Sequence, residues 1–283
     1  MSQNNCDCCC KPKQSVKWPI NGFHFPGFGM AVDVDADALK GQGQGQGQCK
    51  IDLDLYVATD GDDTNDGLTP ATAFATVHRA VGYLREICFK RATVHIADGS
   101  YSGDTLYIKD QSGQVTLRGE SRTGTFLNFG IIVYRTSHVI VENITEVTDT
   151  VISGNIVSLS SSNVTLLNVD IENNVSSTFT VGAEAGGNII LGGINFRGTA
   201  SSFLHVTRSS SMIVSGDISF NGTCGFGAIY VAESGSAYIT AELTGYVTGK
   251  KYTVISNGVL AMSGSGVFPG SKAGTTATGG VVV

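Results

Sequence analysis

The chain has 283 residues and a net charge of −6; 15% of its residues are charged, 37 are glycine and only 5 are proline. That length suits one large all-β domain with an appendix. The low charge and lack of a basic patch argue against a nucleic-acid partner, and with no apolar run of 18 residues no membrane-spanning helix is expected.

Residues 1–50 differ from the rest. Cys6, Cys8, Cys9 and Cys10 crowd into five residues. Disulfide geometry discourages pairing between such close neighbours, so partners are expected elsewhere: Cys49, or another chain. Intermolecular disulfides compete here with free thiols and with a zinc site built on the Cys6/Cys9 spacing, which lacks a second pair and a nearby His. The start is polar and cysteine-rich, unlike a secretory signal. Trp18, Phe23, Phe25 and Phe28, broken by Pro19, Gly22, Pro26 and Gly27, read either as a plug that docks into another protein or as a strand packed on this chain's own body. The Gly-Gln run from Gly41 to Gln48 is a flexible spacer.

Residues 51–91 form an opening strand, an acidic turn and a helix. Leu55-Tyr56-Val57 starts the strand. Asp60, Asp62, Asp63 and Asp66 then place four carboxylates in seven residues. Calcium held by Asp60, Asp62 and Asp66 competes with a solvated turn, because no closing Glu follows. Thr76 caps a helix predicted over Val77–Phe89, whose apolar positions Val77, Ala80, Val81, Leu84, Ile87 and Cys88 follow helical spacing. Such a helix would cover the open edge of a strand stack.

Residues 92–267 are read as the shaft, and the stretch from Gly130 to Phe268 repeats. Two short apolar runs flank a small polar turn in every repeat. The markers Ser137, Ser162, Gly187, Ser211, Ser236 and Gly258 lie 25, 25, 24, 25 and 22 residues apart. The runs, such as Ile131–Tyr134 with Val139–Val141 and Ile156–Leu159 with Val164–Leu167, are rich in Val, Ile, Thr and Tyr and too short for helices. A third, weaker run follows in several repeats, as in Val169–Ile171. Two or three strands in about 24 residues make one coil of a parallel β-helix, since a single coil cannot bury its own apolar face. Tyr134, Phe179, Phe203, Tyr230 and Tyr238 exceed what one shaft needs inside, so some are expected to face other copies of the chain. Residues 268–283 read as a C-terminal cap or tail.

Two stretches carry a resemblance. Tyr56-Val57-Ala58-Thr59-Asp60-Gly61-Asp62-Asp63-Thr64-Asn65-Asp66-Gly67-Leu68-Thr69-Pro70, with Phe74-Ala75-Thr76-Val77 and Ala80, resembles the opening motif of pectin-lyase-like β-helix proteins, above all bacteriophage tail-spike and tail-fibre proteins. Gly249 through Val259 and Phe268 through Gly280 are similar to the terminal coil and cap of phage fibre β-helices. The resemblance implies a right-handed parallel β-helix, a homotrimer of parallel shafts and a place on a virion as a tail, neck or collar appendage. Residues 1–50 would join it to other virion proteins, and a host surface glycan is a further candidate partner. The competing assignments are a receptor-binding tailspike that binds or depolymerises host surface polysaccharide, and a bacterial surface adhesin.

Relatives often cleave polysaccharide. Glycoside hydrolysis needs two carboxyls about 5–10 Å apart. Asp170 and Glu172, two apart on one strand and therefore on one face, are the best local pair, with Asp217 two coils on. Strand surfaces carry such pairs for solubility too, and the balance leans against an enzyme. His205 lies inside an apolar strand and reads as a satisfied core or interface residue rather than a ligand. No cofactor is expected.

Overall fold

The computed structural model describes residues 51–148, 154–263 and 267–283. The expected anchoring cysteines Cys6, Cys8, Cys9, Cys10 and Cys49, and the docking aromatics Trp18, Phe23, Phe25 and Phe28, lie outside the described residues.

The described chain is an all-β, right-handed parallel β-helix of about seven turns. A 14-stranded sheet runs from Asp52–Val57 through Arg91–Ile96, Gln114–Gly119, Val139–Thr148, Asn163–Asn173 and Asn188–Ala200 to Val259–Met262 and Val281–Val282. An eight-stranded sheet runs from Leu106–Lys109 through Ile131–Tyr134, Gly154–Leu159 and Phe179–Glu184 to Thr275–Thr276. Strand pairing is parallel throughout the described residues, and register advances by one repeat per rung. Val141, Leu166, Leu191, Val214 and Ile239 therefore stack in one inward column, each fully buried. Such a column removes apolar surface from water continuously along the shaft, which no single coil could do.

The marker turns do what their composition suggests. Ser160-Ser161, Ala185-Gly186, Arg208-Ser209, Glu233-Ser234 and Ser256-Asn257 all have two residues at positive φ. Each turn closes with a bond such as Ser162 N–H to Leu159 C=O (3.1 Å) or Gly258 N–H to Ile255 C=O (2.9 Å). The turns also bond to one another, as Ser209 N–H donates to Glu233 C=O at 3.0 Å and Ser234 N–H to Ser256 C=O at 3.0 Å. The ladder is thus continuous around the corner, and the strain of left-handed residues is held by the coils on either side.

The second and third runs expected from the sequence are fused. Val139–Thr148, Asn163–Asn173 and Asn188–Ala200 are single strands bent at the left-handed residues Asn143 (φ 55°), Asn168 (φ 55°) and Gly193 (φ 69°), and the last carries a second such residue, Gly198 (φ 91°). Asn tolerates this conformation better than other side chains. Asn168 Nδ2 also donates to Asn143 Oδ1 at 2.7 Å, so the bends stack. Each coil therefore has three outer faces: one on the small sheet and two on the large sheet, before and after the bend.

The helix is shorter than its apolar spacing predicts, Val77–Leu84 rather than Val77–Phe89. Arg85 and Glu86 close with bonds to Gly82 and Tyr83, three residues back, and Lys90 N–H is then captured by Ile51 C=O at 2.8 Å. The strand ladder wins over helix continuation. Thr76 caps the helix as expected, accepting from Arg79 N–H at 3.1 Å. Val77, Ala80, Val81 and Leu84 are buried against the first coil. At the other end, Thr275–Thr276 and Val281–Val282 pair with the preceding coil, so residues 268–283 add a last rung.

Candidate functional site

The outer faces are not uniform. Before the bend, the first four strands of the large sheet point Asp52, Asp54, Tyr56, Arg91, His95, Arg118 and Glu142 outward. The next four strands point Asn163, Thr165, Leu167, Asn188, Ile190, Ser211, Ile213, Ser236 and Tyr238 outward, with no charge among them. Ile190, Ile213 and Tyr238 stand 41–45% exposed on consecutive rungs.

The charged end holds a groove of about 390 Å³ between the acidic loop and the sheet, bordered by Tyr56, Pro70, His95, Arg118, Glu120 and Asn143. The Tyr56 and His95 rings stack at 5.0 Å and 16°. His95 Nε2 meets Asp54 Oδ1 at 2.8 Å, which fixes the imidazole. Arg118 pairs with Glu142. Burial is the main cause that pushes the Tyr101 phenol up to about 12, aided by the carboxylates of Asp60, Asp98 and Glu120 nearby. The groove thus offers an aromatic wall, fixed polar groups and one carboxylate, Glu120, beside Arg118.

Beyond the bend, Asp170 is 8% exposed and clamped. Arg122 pairs with it from one side, and Arg197 Nη2 donates to Oδ2 at 2.5 Å from the other. Asn195 Nδ2 donates to Oδ1 at 2.8 Å, while Arg122 also bonds Asn168 Oδ1 (2.7 Å) and Val169 C=O (3.0 Å). Both oxygens of Asp170 already accept charge-assisted bonds, so neither is presented to a substrate. Glu172 lies on the same face, two residues on, and accepts from Asn174 Nδ2 at 3.2 Å. Asp217 is exposed in the turn before Ile218, and its carbonyl accepts from Ile194 N–H at 3.1 Å. The three carboxylates share a flank of the shaft, with Asp170 in a structural role.

The acidic loop is knitted to itself. Asp62 Oδ1 accepts from Thr64 N–H and Oγ1, and Asp66 Oδ1 from Leu68 N–H and Thr72 Oγ1. These bonds hold both carboxyls below the usual range, led by the Thr64 amide for Asp62 and the Thr72 hydroxyl for Asp66. Asp63 bonds Ala75 N–H, Thr76 N–H and Thr76 Oγ1, tying the loop to the helix cap. Asp60 is exposed. Among the described residues no three His, Cys, Asp or Glu side chains are grouped to hold a metal ion.

On the small sheet, His205 is sandwiched between Phe179 (4.4 Å, 11°) and Tyr230 (4.9 Å, 12°). Phe179 lies flat because Gly182 has no side chain beneath it; a Cβ there would meet the ring at 2.2 Å. Of the other large groups expected outside, Tyr238 is on the surface and Tyr134 lies under the Arg135 guanidinium, but Phe203 is fully buried, packed against Phe196 and Phe220. It turns inward because the corner before Leu204 faces the core.

Burial, with Arg208 adding to it, lowers the His205 pKa to about 4. The 3.6 Å approach of His205 Nε2 to Glu184 is therefore not an ion pair at neutral pH. A histidine depressed in the folded state contributes stability that is full above the unfolded value of 6.5 and is lost as pH falls towards 4. The loss amounts to about 3 kcal/mol over that window. Glu184, raised chiefly by burial, acts oppositely, because its protonation favours the folded state as pH falls. His205→Phe should keep the stack and abolish the histidine part. Urea unfolding of both proteins at pH 7 and pH 4.5 measures it: the variant is expected to lose less stability, and equal losses would contradict a neutral, buried His205.

No family model matches the sequence, and no curated protein matches it. Among solved structures, pectin methylesterase PemA from Erwinia chrysanthemi is similar with a TM-score of 0.45 and 11% identity, over 73% of this chain and 77% of that one.

Proposed function

We propose that the protein is a trimeric β-helical appendage of a bacteriophage virion, joined to other virion proteins through residues 1–50, whose shaft binds a host surface glycan without cleaving it. The observation that carries the non-cleaving part is the Asp170 clamp. The candidate carboxylate with the best position has both oxygens engaged by Arg122, Arg197 and Asn195. The groove beside Tyr56 and His95 supports binding: aromatic faces accept the apolar side of a sugar ring, while Glu120 and Asn143 offer hydrogen bonds. Virion location and threefold assembly rest on the sequence resemblance.

The full-length protein is to be passed over a panel of bacterial capsule and lipopolysaccharide glycans, with binding and new reducing ends measured together. Binding without release is expected, and Tyr56→Ala should weaken it about tenfold, the equivalent of about 1.4 kcal/mol. Oligosaccharide release would establish a depolymerase instead. Absence of binding to every glycan would leave a purely structural appendage and remove the groove's role.

A further inference from the structure

Across the rungs of Asn163, Asn188, Ser211, Ser236 and Val259, the large sheet carries no charge on its outer face before the bend. Ile190, Ile213 and Tyr238 are consecutive steps of its exposed central column. Charges return at both edges of this strip. Arg208 and Glu233 stand in the turns that lead into it, and Asp217 and Glu242 lie between the strands before and after the bend. The polar groups of the strip spend their bonds within the chain. Asn163 Nδ2 donates to Ser137 C=O at 2.7 Å, Asn188 Nδ2 to Asn163 Oδ1 at 3.2 Å and Ser211 Oγ to Asn188 Oδ1 at 2.5 Å. Thr165 Oγ1 meets His138 Nε2 at 2.9 Å. Covering the strip therefore strands little that water had satisfied.

We propose that this strip is where one shaft meets the next, as the dry centre of a parallel interface between copies of this chain; the inference rests on the threefold assembly proposed above. Rotation about an axis along the shaft preserves height, so each rung meets the same rung of its neighbour. A charge near the axis would face its own kind, and the repulsion grows as water is excluded. A neutral strip between charged edges avoids this. A glycan would call for the reverse, free hydrogen-bonding groups beside the aromatic ring. The strip rises about 19 Å over four steps, too little alone for a standard interface of about 800 Å² per partner. It supplies the apolar core, with Ile213 and Tyr238 as its anchors, while the charged edges form a wet rim. The contact ends where the same face turns charged, at Asp52, Asp54, Arg91 and Glu142 on the first four strands. The shafts diverge there, and the Tyr56–His95 groove stays open between them.

Full-length protein carrying the photo-cross-linker benzoylphenylalanine in place of Ile213 tests this. The same group in place of Asn221, exposed beyond the bend in the same coil, is the control. After irradiation and full reduction, which removes any disulfide-linked species, bands of two and three chains are expected from position 213 and single chains from position 221. Bands from 221 as strong as those from 213, or single chains from both in a protein that sediments as a trimer, would overturn the proposal and leave threefold assembly standing. A parent protein that sediments as one chain would remove the assembly itself, and the interface with it. Independently, Ile213→Glu sets three carboxylates at one height and should weaken association about a hundredfold by sedimentation, with the circular dichroism of the parent, while Asn221→Asp leaves both unchanged. Unaltered association of a folded Ile213→Glu variant would refute the strip's role.

Discussion

Replacing Phe220 with alanine is expected to cost about 3–5 kcal/mol, lowering Tm by about 10 °C or more. Phe220 stacks on Phe196 at 5.2 Å and 20°, and meets Phe203 edge-on at 5.8 Å; Phe196 and Phe203 are themselves 5.9 Å apart. All three are at most 1% exposed. Truncating Phe220 removes one large buried side chain and two of the three aromatic pairs, and leaves a cavity that neighbouring rungs cannot close without breaking register. Tyr246→Ala, one coil away but 61% exposed, is the control and should stay within about 0.5 kcal/mol. Denaturant midpoints for both variants check this. Equal effects would mean that the trio is not a packed core.

The second large effect is expected at Asp170. Asp170→Asn keeps the shape and removes the charge, leaving Arg122 and Arg197 side by side without their counter-ion. Breaking a fully buried pair costs about 3–5 kcal/mol; with Arg197 47% exposed, solvent screens part of this, so about 2 kcal/mol is expected. Glu172→Gln, on the same face, should be nearly silent. Thermal denaturation with a glycan-release assay reads both roles at once. A structural Asp170 loses stability and leaves the absence of release unchanged. A catalytic Asp170 would instead show release in the parent protein that Asp170→Asn abolishes at little cost in stability.

Much of this architecture is legible in the chain because each coil repeats the same local problem. The markers Ser162, Gly187, Ser211, Ser236 and Gly258 each follow, within two residues, a pair of residues at positive φ, a requirement that the turn composition betrays. The bends at Asn143 and Asn168 are less visible. One left-handed Asn inside a strand leaves the alternation before and after it intact, so a fused strand reads as two. The helix end is hidden for another reason: Ile87 and Cys88 keep helical spacing, while the chain beyond Glu86 is claimed by Ile51, 39 residues upstream of Lys90. The Asp170 clamp joins side chains 48 and 27 residues away, far beyond any local motif. With a period near 25, however, those separations are about one coil for Arg197 and two for Arg122, so the clamp follows the repeat when counted in rungs. The Tyr56–His95 pair, 39 apart with the helix between, follows no such period because the first coil carries the insertion.

The stacked register underlies every placement above, and an electron-spin distance tests it directly. Asn163, Asn188, Ser211, Ser236 and Val259 form one outward column, four rungs from end to end. Nitroxides on cysteines introduced at the exposed positions 163 and 259 should give a distribution centred near 19 Å, four steps of about 4.8 Å; a centre beyond about 30 Å would contradict the stacked coil.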